Sequence, residues 1–318
     1  MAHYLSSSIP SEDLSNMIAA ANRYMHVGDN REAIRRWIEI ASLFGDRTPE
    51  TIYHRLGEAY ALNQESFGGT QEENRVWGDR DKHKILEDMH AQLEPEIYLE
   101  IGVDQGVSLS LARGRAIGVD ARPELKLTRH LGDNASLVAL SSDAFFREQA
   151  ETLLPVPPGL VFIDGMHLFE FALRDFMNVE RFASPASLVI IDDVFPCHPA
   201  QAARLPRTDS WTGDVWKLHR ILREARPELT LVSLNAKGTG LLLIAGLDPA
   251  DCILWDNYEQ IVRRYGRDID PPAEVLTRTG ALTSDSAILP RLLNLLKVAR
   301  QERWSLLQVR EALRQLSA

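Results

Sequence analysis

The sequence predicts an α/β protein built on a seven-stranded, doubly wound sheet whose last strand is antiparallel, with helical regions before and after it. Three observations predict this fold. Short apolar runs recur between residues 97 and 244, helical segments separate most of them, and helical periodicity dominates both ends of the chain. Runs this short are typical of strands buried on both faces. Alternation of strand and helix indicates parallel strands, with a ligand site at their carboxyl ends.

The first eighty residues are predicted to be helical. The three segments run from Ser11 to about Met25, from Arg31 to Phe44 after a cap at Asn30, and from Thr48 to about Leu62. Paired short helices of this kind resemble a tetratricopeptide-like hairpin. A repeat array needs about three units for stability, so a helical cap on the following domain is the favoured interpretation. We assign residues 1–80 to this N-terminal helical region.

Residues 81–248 carry the pattern of the sheet. The predicted strands are Ile97–Val103, Ala116–Val119, Leu137–Leu140, Leu160–Ile163, Leu188–Ile191, Leu229–Leu234 and Gly240–Ile244. The predicted helices are Lys84–Leu93, Phe145–Leu154, Phe169–Phe182 and Val215–Ala225. Only a short segment, residues 235–239, joins the last two strands. A connection of hairpin length predicts that these two strands are antiparallel.

Residues 249–318 are predicted to be a C-terminal helical extension. Its segments are Asp251–Tyr265, Ser286–Val298 and Ser305–Leu316, in which Leu and Ile recur at three- and four-residue spacing. The apolar faces of these helices either cover the core or form a contact between copies in a homo-oligomer. Periodicity alone does not separate these two roles.

Composition excludes several classes of protein. The chain has 35 Lys and Arg against 45 Asp and Glu, a net charge of −10, which disfavours nucleic-acid binding. Two distant cysteines, Cys197 and Cys252, predict neither a disulfide framework nor a cysteine metal site. No apolar run is long enough to cross a membrane, and the first ten residues lack a secretory pattern. These features predict a cytoplasmic protein.

A glycine motif follows the first predicted strand. Gly102 and Gly106 allow a tight turn and a close approach of the backbone to a ligand, and Glu100 precedes them. Asp120 ends the second strand, where a carboxylate accepts hydrogen bonds from ribose hydroxyls. Asp143 follows the third strand, where it can meet an adenine amino group. Added carboxylates repel a pyrophosphate but suit a sulfonium amino acid.

This series of glycines and strand-end acids resembles the class I S-adenosylmethionine (SAM)-dependent methyltransferase family. The resemblance covers roughly residues 93–247. It implies a Rossmann-like fold, a methyltransferase activity and SAM as cofactor. The cofactor-binding residues implied are Glu100, Gly102, Gly106, Asp120, Asp143 and Asp164.

Acids and a histidine follow the fourth and fifth strands. Asp164 and His167 come after the fourth, and Asp192 and Asp193 after the fifth, so all four should meet at one edge of the sheet. Carboxylates this close repel one another unless a proton or a cation offsets them. Oxygen ligands without cysteine favour Mg²⁺, and an imidazole suits a general base. Alternatively, Asp164 contacts only the cofactor, and Asp192 and Asp193 cap the next turn.

The spacing of this cluster resembles that of metal-dependent macrolide-sugar O-methyltransferases, and of cephalosporin-hydroxylase-like and rhamnosyl O-methyltransferase relatives. That resemblance implies Asp164, Asp192 and Asp193 as metal ligands and His167 as the catalytic base. It implies a Mg²⁺-dependent O-methyltransferase for a small glycosyl or natural-product-like molecule. A hydroxylase-like enzyme on the same fold and a non-catalytic scaffold are the alternatives.

The motif around Trp211 and Asp214 lies near the predicted site. Trp211 is predicted to form a stacking wall for the acceptor, with Asp214 beside it. Alternatively, Asp214 only caps the following helix.

Overall fold

The N-terminal helices pack onto the sheet domain. The computed structural model describes residues 11–63, 68–122 and 131–316, so residues 1–10 of the predicted N-terminal region lie outside it. The helices are α1 (Ser11–His26), α2 (Asn30–Phe44) and α3 (Glu50–Asn63). Asp29, one residue before the predicted cap, caps α2 by accepting the amide hydrogen of Glu32. Trp37 and Leu56 share one apolar core with Phe171 of the sheet domain.

The sheet has seven strands. They are β1 (Ile97–Ile101), β2 (Arg115–Val119), β3 (Ala135–Val138), β4 (Leu160–Ile163), β5 (Leu188–Asp192), β6 (Thr230–Leu234) and β7 (Leu241–Ala245). Their spatial order is β3-β2-β1-β4-β5-β7-β6. Along the part of this order that runs β3-β2-β1-β4-β5, each strand is parallel to the next. β7 is antiparallel to both β5 and β6. The predicted α/β fold with its reversed last strand is confirmed.

Helices cover both faces of the sheet. They are α4 (Lys82–Leu93), α5 (Ser142–Glu148), α6 (Ala150–Leu153), α7 (Phe169–Phe182), α8 (Lys217–Ala225), α9 (Ile253–Tyr265), α10 (Ala273–Leu276), α11 (Ile288–Gln301) and α12 (Leu306–Leu316). On one face α5, α7, α8 and α9 share a core with alternate strand residues. On the other face α4, α11 and α12 do the same. Leu292 and Leu296 of α11 are fully buried there, so this helix covers the core.

Two elements differ from their predicted bounds. β3 lies two residues before the predicted Leu137–Leu140, because this edge strand is only partly buried and its apolar residues do not mark its pairing. The helix predicted at Phe145–Leu154 begins instead at Ser142 and breaks into α5 and α6. The Ser141 side chain caps α5 by accepting the amide hydrogen of Ala144.

No helix of the described residues is long and apolar enough to cross a membrane.

His90 of α4 gives the fold a measurable pH dependence. Neither ring nitrogen has a hydrogen-bond partner among the described residues, and the side chain is fully buried against Tyr98. Burial, aided by the charge of Arg113, lowers the pKa of His90 to about 4. An unfolded histidine titrates near pH 6.5. Between pH 6.5 and about 4 the unfolded chain therefore takes up a proton that the folded chain excludes, and stability falls as the pH falls.

We expect His90→Leu to remove this dependence. The difference in free energy of unfolding between wild type and variant should change by up to about 1.4 kcal/mol per pH unit below pH 6.5. Urea unfolding at pH 7 and pH 5 measures it. A difference that stays constant between the two pH values would show that His90 is not excluded from protonation in the fold.

Candidate active site

The glycine motif forms a tight loop beyond β1. Gly102 has φ +85° and Gly106 has φ +74°, both in the left-handed region. A Cβ at Gly102 would lie 2.0 Å from the carbonyl oxygen of Asp164, which follows the neighbouring strand β4. Only a glycine lets the two strand tails approach this closely. The loop thus brings backbone amides to the carboxyl edge of the sheet.

Asp120 holds this loop from the end of β2. One carboxylate oxygen accepts the amide hydrogens of Val103 at 2.8 Å and Asp104 at 3.0 Å. The other accepts the amide hydrogen of Arg122 at 2.7 Å. Asp120 also lines the cavity described below. Its position agrees with the predicted ribose contact, which stays a prediction.

The side chains of two predicted cofactor-binding acids are buried in the protein interior instead. Glu100 is fully buried and accepts hydrogen bonds from the hydroxyls of Tyr98 at 2.6 Å and Ser108 at 2.7 Å. Burial raises the pKa of Glu100 to about 8. Asp143 is buried in an ion pair with Arg174, at 2.8 Å. Neither residue lines the cavity, so the geometry gives no support to cofactor contacts by Glu100 or Asp143.

Asp164, His167 and Asp193 meet at the tails of β4 and β5. Their ligand atoms all lie within 4.8 Å of one another. Asp193 adopts a left-handed backbone conformation with φ +64°, and its carboxylate lies 3.0 Å from Nδ1 of His167. Strained backbone of this kind is concentrated at functional sites. These three residues form an open cluster of two carboxylates and an imidazole.

Hydrogen bonds fix the orientation of the His167 ring. Nδ1 lies 2.9 Å from the carbonyl oxygen of Trp211 and 3.0 Å from the Asp193 carboxylate. Both partners are acceptors, so Nδ1 carries a hydrogen. Nε2 lies 3.6 Å from Oδ1 of Asp164. Burial alone would lower the pKa of His167, but the charges of Asp193 and Asp164 raise it to about 10. A cation at these carboxylates would offset that effect.

Asp192 is not part of the open cluster. Its side chain is 1% exposed, and one oxygen is bound to the ammonium of Lys82. The other accepts the Asp193 amide hydrogen at 2.9 Å and the Thr239 hydroxyl at 3.2 Å. Internal partners thus occupy both oxygens of Asp192, and the predicted ligand set of Asp164, Asp192 and Asp193 stays a prediction.

The loop after β5 holds His167 and supplies one wall. The ring of Trp211 stacks on that of His167 with centroids 5.2 Å apart and an interplanar angle of 22°. Gly213 passes so close to the His167 backbone that a Cβ there would overlap its carbonyl oxygen. Asp214 is buried, caps α7 through the Phe169 amide and pairs with Lys217 and Arg204. Asp214 is therefore a structural residue, which corrects its prediction as a substrate contact.

One cavity of about 690 Å³ joins these parts. The glycine loop, Asp120 and Ser142 line it, and so do Asp164, His167 and Trp211. Its size falls within the range of about 300–1,000 Å³ for sites that bind small molecules. Helix α3 forms a further wall through Tyr53, Leu56, Gly57 and Tyr60. The N-terminal helices therefore complete the cavity.

Part of the chain that lines this cavity matches a known family model. Residues 99–194, from β1 to just beyond β5, match the family model described as a methyltransferase domain. They contain the glycine loop, Asp120, Asp164, His167 and Asp193. The resemblance to class I SAM-dependent methyltransferases inferred from the sequence is confirmed for this segment.

Several solved structures are similar to the chain. An O-methyltransferase from Bacillus cereus in complex with SAH is 16% identical, with a TM-score of 0.42, over 62% of this chain and 91% of that one. TomG from Streptomyces achromogenes, in complex with SAM, is 16% identical, with a TM-score of 0.40, over 52% and 78%. MycE from the mycinamycin pathway, with Mg and SAH, is 19% identical, with a TM-score of 0.36, over 51% and 47%. No curated protein matches the chain.

Among the cavity residues that could not be predicted from the sequence, three lie outside the matched segment. Lys82 begins α4, and Tyr53 and Tyr60 lie on α3, all outside the matched segment. The hydroxyl of Tyr60 is buried without a partner among the described residues, and its ring lies 6.0 Å from that of Trp211. No local motif marks these residues, because distant segments bring them to the site.

Gly102 offers a direct test of the loop in the methyltransferase domain. Gly102→Ala places a methyl group against the Asp164 backbone, and we expect a loss of about 1–3 kcal/mol beyond the backbone strain, together with loss of binding to S-adenosylhomocysteine (SAH). Gly28→Ala is the matched control, because Gly28 has φ +81° but no atom within 4 Å of an added Cβ. Urea unfolding and calorimetry with SAH measure both effects. Equal destabilisation of the two variants would contradict the close approach of the strand tails.

Proposed function

We propose that the chain is a SAM-dependent O-methyltransferase that acts on a hydroxyl of a small molecule, glycosyl or natural-product-like. The observation that carries this proposal is the single cavity that joins the glycine loop to His167. A methyl donor at one end and an acceptor at the other can react only if they share one enclosed space. The family match to a methyltransferase domain supports the part of this proposal that concerns binding of a methyl donor.

The donor lies along the glycine loop in this proposal. Gly102 and Gly106 let the backbone contact SAM, and Asp120 accepts hydrogen bonds from the ribose hydroxyls. Asp175 lines the cavity and is bound to Ser142, so we assign it the adenine end in place of Asp143. Burial raises the pKa of Asp175 to about 7. Asp164 lines the same cavity and lies close to His167.

The acceptor lies between Trp211, Tyr60 and His167. Trp211 and Tyr60 present aromatic faces, which favour a ring in the acceptor. The hydroxyl oxygen of the acceptor forms a bond to the methyl carbon while the carbon–sulfur bond of the sulfonium breaks, leaving a neutral thioether. Nε2 of His167 takes the hydroxyl proton, since Nδ1 is held by two acceptors.

A divalent cation is the finer part of the proposal. Asp164 and Asp193 present carboxylate oxygens in one open cluster, and such oxygens are the ligands that Mg²⁺ prefers. A cation held there would favour the deprotonated acceptor oxygen. Asp192 could join these ligands only after losing Lys82. A bound cation would also offset the carboxylate charges that raise the pKa of His167, and so would leave Nε2 able to receive the proton of the acceptor.

Incubation with SAM and a panel of hydroxylated sugars and phenols tests the function. We expect a product heavier by one methylene unit, detected by mass spectrometry, and SAH binding detected by calorimetry. The hydroxylase-like enzyme predicts an added oxygen instead, and the scaffold predicts no SAH binding. Neither alternative is favoured by the family match. A protein that binds neither SAM nor SAH would overturn the proposal.

A further inference from the structure

A lysine ammonium lies between two carboxylates at the centre of the site. Nζ of Lys82 is 3.2 Å from Oδ2 of Asp164 and is also bound to Oδ2 of Asp192. Asp164 follows β4 and Asp192 ends β5, the two strands whose tails form the predicted cation site. The side chain of Lys82 is 26% exposed, whereas that of Asp192 is 1% exposed. The chain thus supplies its own positive charge to this pair.

The backbone before Lys82 is anchored to a different part of the fold. Gly78 has φ +136°, and a Cβ there would lie 2.4 Å from the carbonyl oxygen of Ala236. The Asp79 carboxylate accepts the amide and hydroxyl hydrogens of Ser284, at 2.9 and 2.5 Å. Arg80–Asp81 pair with Ala236–Lys237 in a short parallel ladder, and Asp81 then caps α4. Lys82 therefore enters the site from a fixed position.

Asp192 needs a positive partner. Burial raises the pKa of its carboxyl, and the adjacent Lys82 charge opposes that rise. A buried carboxylate without a compensating charge is strongly unfavourable. The partners of its other oxygen, the Asp193 amide and the Thr239 hydroxyl, are neutral. Lys82 is thus the group that balances the charge at the buried end of the pair.

We propose that Lys82 is the resident counter-cation of this pair and that a divalent cation binds the site only in competition with its ammonium. This inference rests on the cation part of the proposed function. An ion that takes oxygens from Asp164 and Asp192 must displace the ammonium that already holds them. An ion on Asp164 and Asp193 alone would still be repelled by the adjacent like charge. Lys82 therefore weakens metal binding and holds the carboxylates together when no metal is bound.

Titration with Mn²⁺, followed by electron paramagnetic resonance, tests the competition on the full chain without SAM or acceptor. We expect Lys82→Met to bind Mn²⁺ on the order of ten- to a hundredfold more tightly than wild type, because one like charge is removed. Lys84→Met is the matched control, since Lys84 is two residues away, 66% exposed and paired with Glu87. It should bind Mn²⁺ with the affinity of wild type. Lys82→Arg keeps the positive charge, so its affinity for Mn²⁺ should also stay as low as that of wild type.

Lys82→Gln provides a second route if the methionine variant does not fold. Its amide can still donate a hydrogen bond to Asp192 without the charge, and it should also bind Mn²⁺ more tightly. Equal and measurable Mn²⁺ affinities in wild type and the uncharged variants would overturn the competition alone. No Mn²⁺ binding by any of these proteins would overturn both the competition and the cation part of the proposed function. SAH calorimetry on the same samples tests the methyltransferase proposal separately.

Discussion

His167→Asn is expected to lower kcat by about 10²–10⁴-fold, the usual contribution of a general base. The asparagine amide can still donate to the Trp211 carbonyl oxygen, as Nδ1 of the histidine does at 2.9 Å. It has no basic nitrogen in the place of Nε2, so no base is left there to take the proton of the acceptor hydroxyl. SAH affinity should stay close to that of wild type, because His167 lies at the acceptor end of the cavity. Steady-state kinetics and SAH calorimetry measure the two quantities.

His54→Asn is the control for this substitution. His54 lies on the exposed side of α3, away from the cavity, so kcat should not change. A structural role for His167 would lower thermal stability or SAH affinity together with kcat. A kcat of the His167 variant within about threefold of wild type would remove the histidine from the proton transfer.

Arg174→Met is expected to lower the free energy of unfolding by about 3–5 kcal/mol, the usual effect of removing one partner of a buried ion pair. Arg174 is 1% exposed and donates to both oxygens of Asp143, to the Tyr53 hydroxyl and to the Tyr258 hydroxyl. Its loss leaves the Asp143 carboxylate buried without a positive partner. It also removes the hydrogen bond that Arg174 donates to Tyr53 of α3, although the Tyr53 hydroxyl can still donate to Asp143.

Arg181→Met is the matched control on the same helix. Arg181 is exposed. Its guanidinium carbon lies 5.8 Å from the centroid of the Trp255 ring. Its substitution changes the charge equally, and we expect a loss of no more than about 1 kcal/mol. Urea unfolding of both variants gives the comparison. Similar losses for the two arginines would mean that the Asp143 pair contributes little to stability.

The strands could be predicted from the sequence because most of them are buried on both faces. Every residue of β1, β4, β5 and β7 is buried, so the apolar runs mark these strands to within one or two residues. β3 lies at the edge of the sheet and is largely not buried, and its bounds were predicted two residues late. β6 is the other edge strand and is also only partly buried, yet its apolar run, Leu229–Leu234, marks it to within one residue.

Part of the candidate site could also be predicted, because parallel strands end at one edge. Asp164, His167 and Asp193 follow neighbouring strands and do meet. Glu100 and Asp143 fit the same rule, but their carboxylates are bound by internal partners that the motif does not include. Lys82 is 82 residues from Asp164 in the chain, and only the packing of α4 brings the two together. Contacts between residues so far apart in the chain cannot be predicted from a local sequence pattern.

The wall formed by α3 belongs to a different apolar core from the two that hold the sheet. Leu56 lines the cavity and packs with Trp37, Ile52 and Phe171 in that third core. The cofactor loop lies over strands stabilised by the other two cores. Mutations within the third core can therefore move the α3 wall of the cavity while the packing that holds the sheet and its glycine loop stays unchanged.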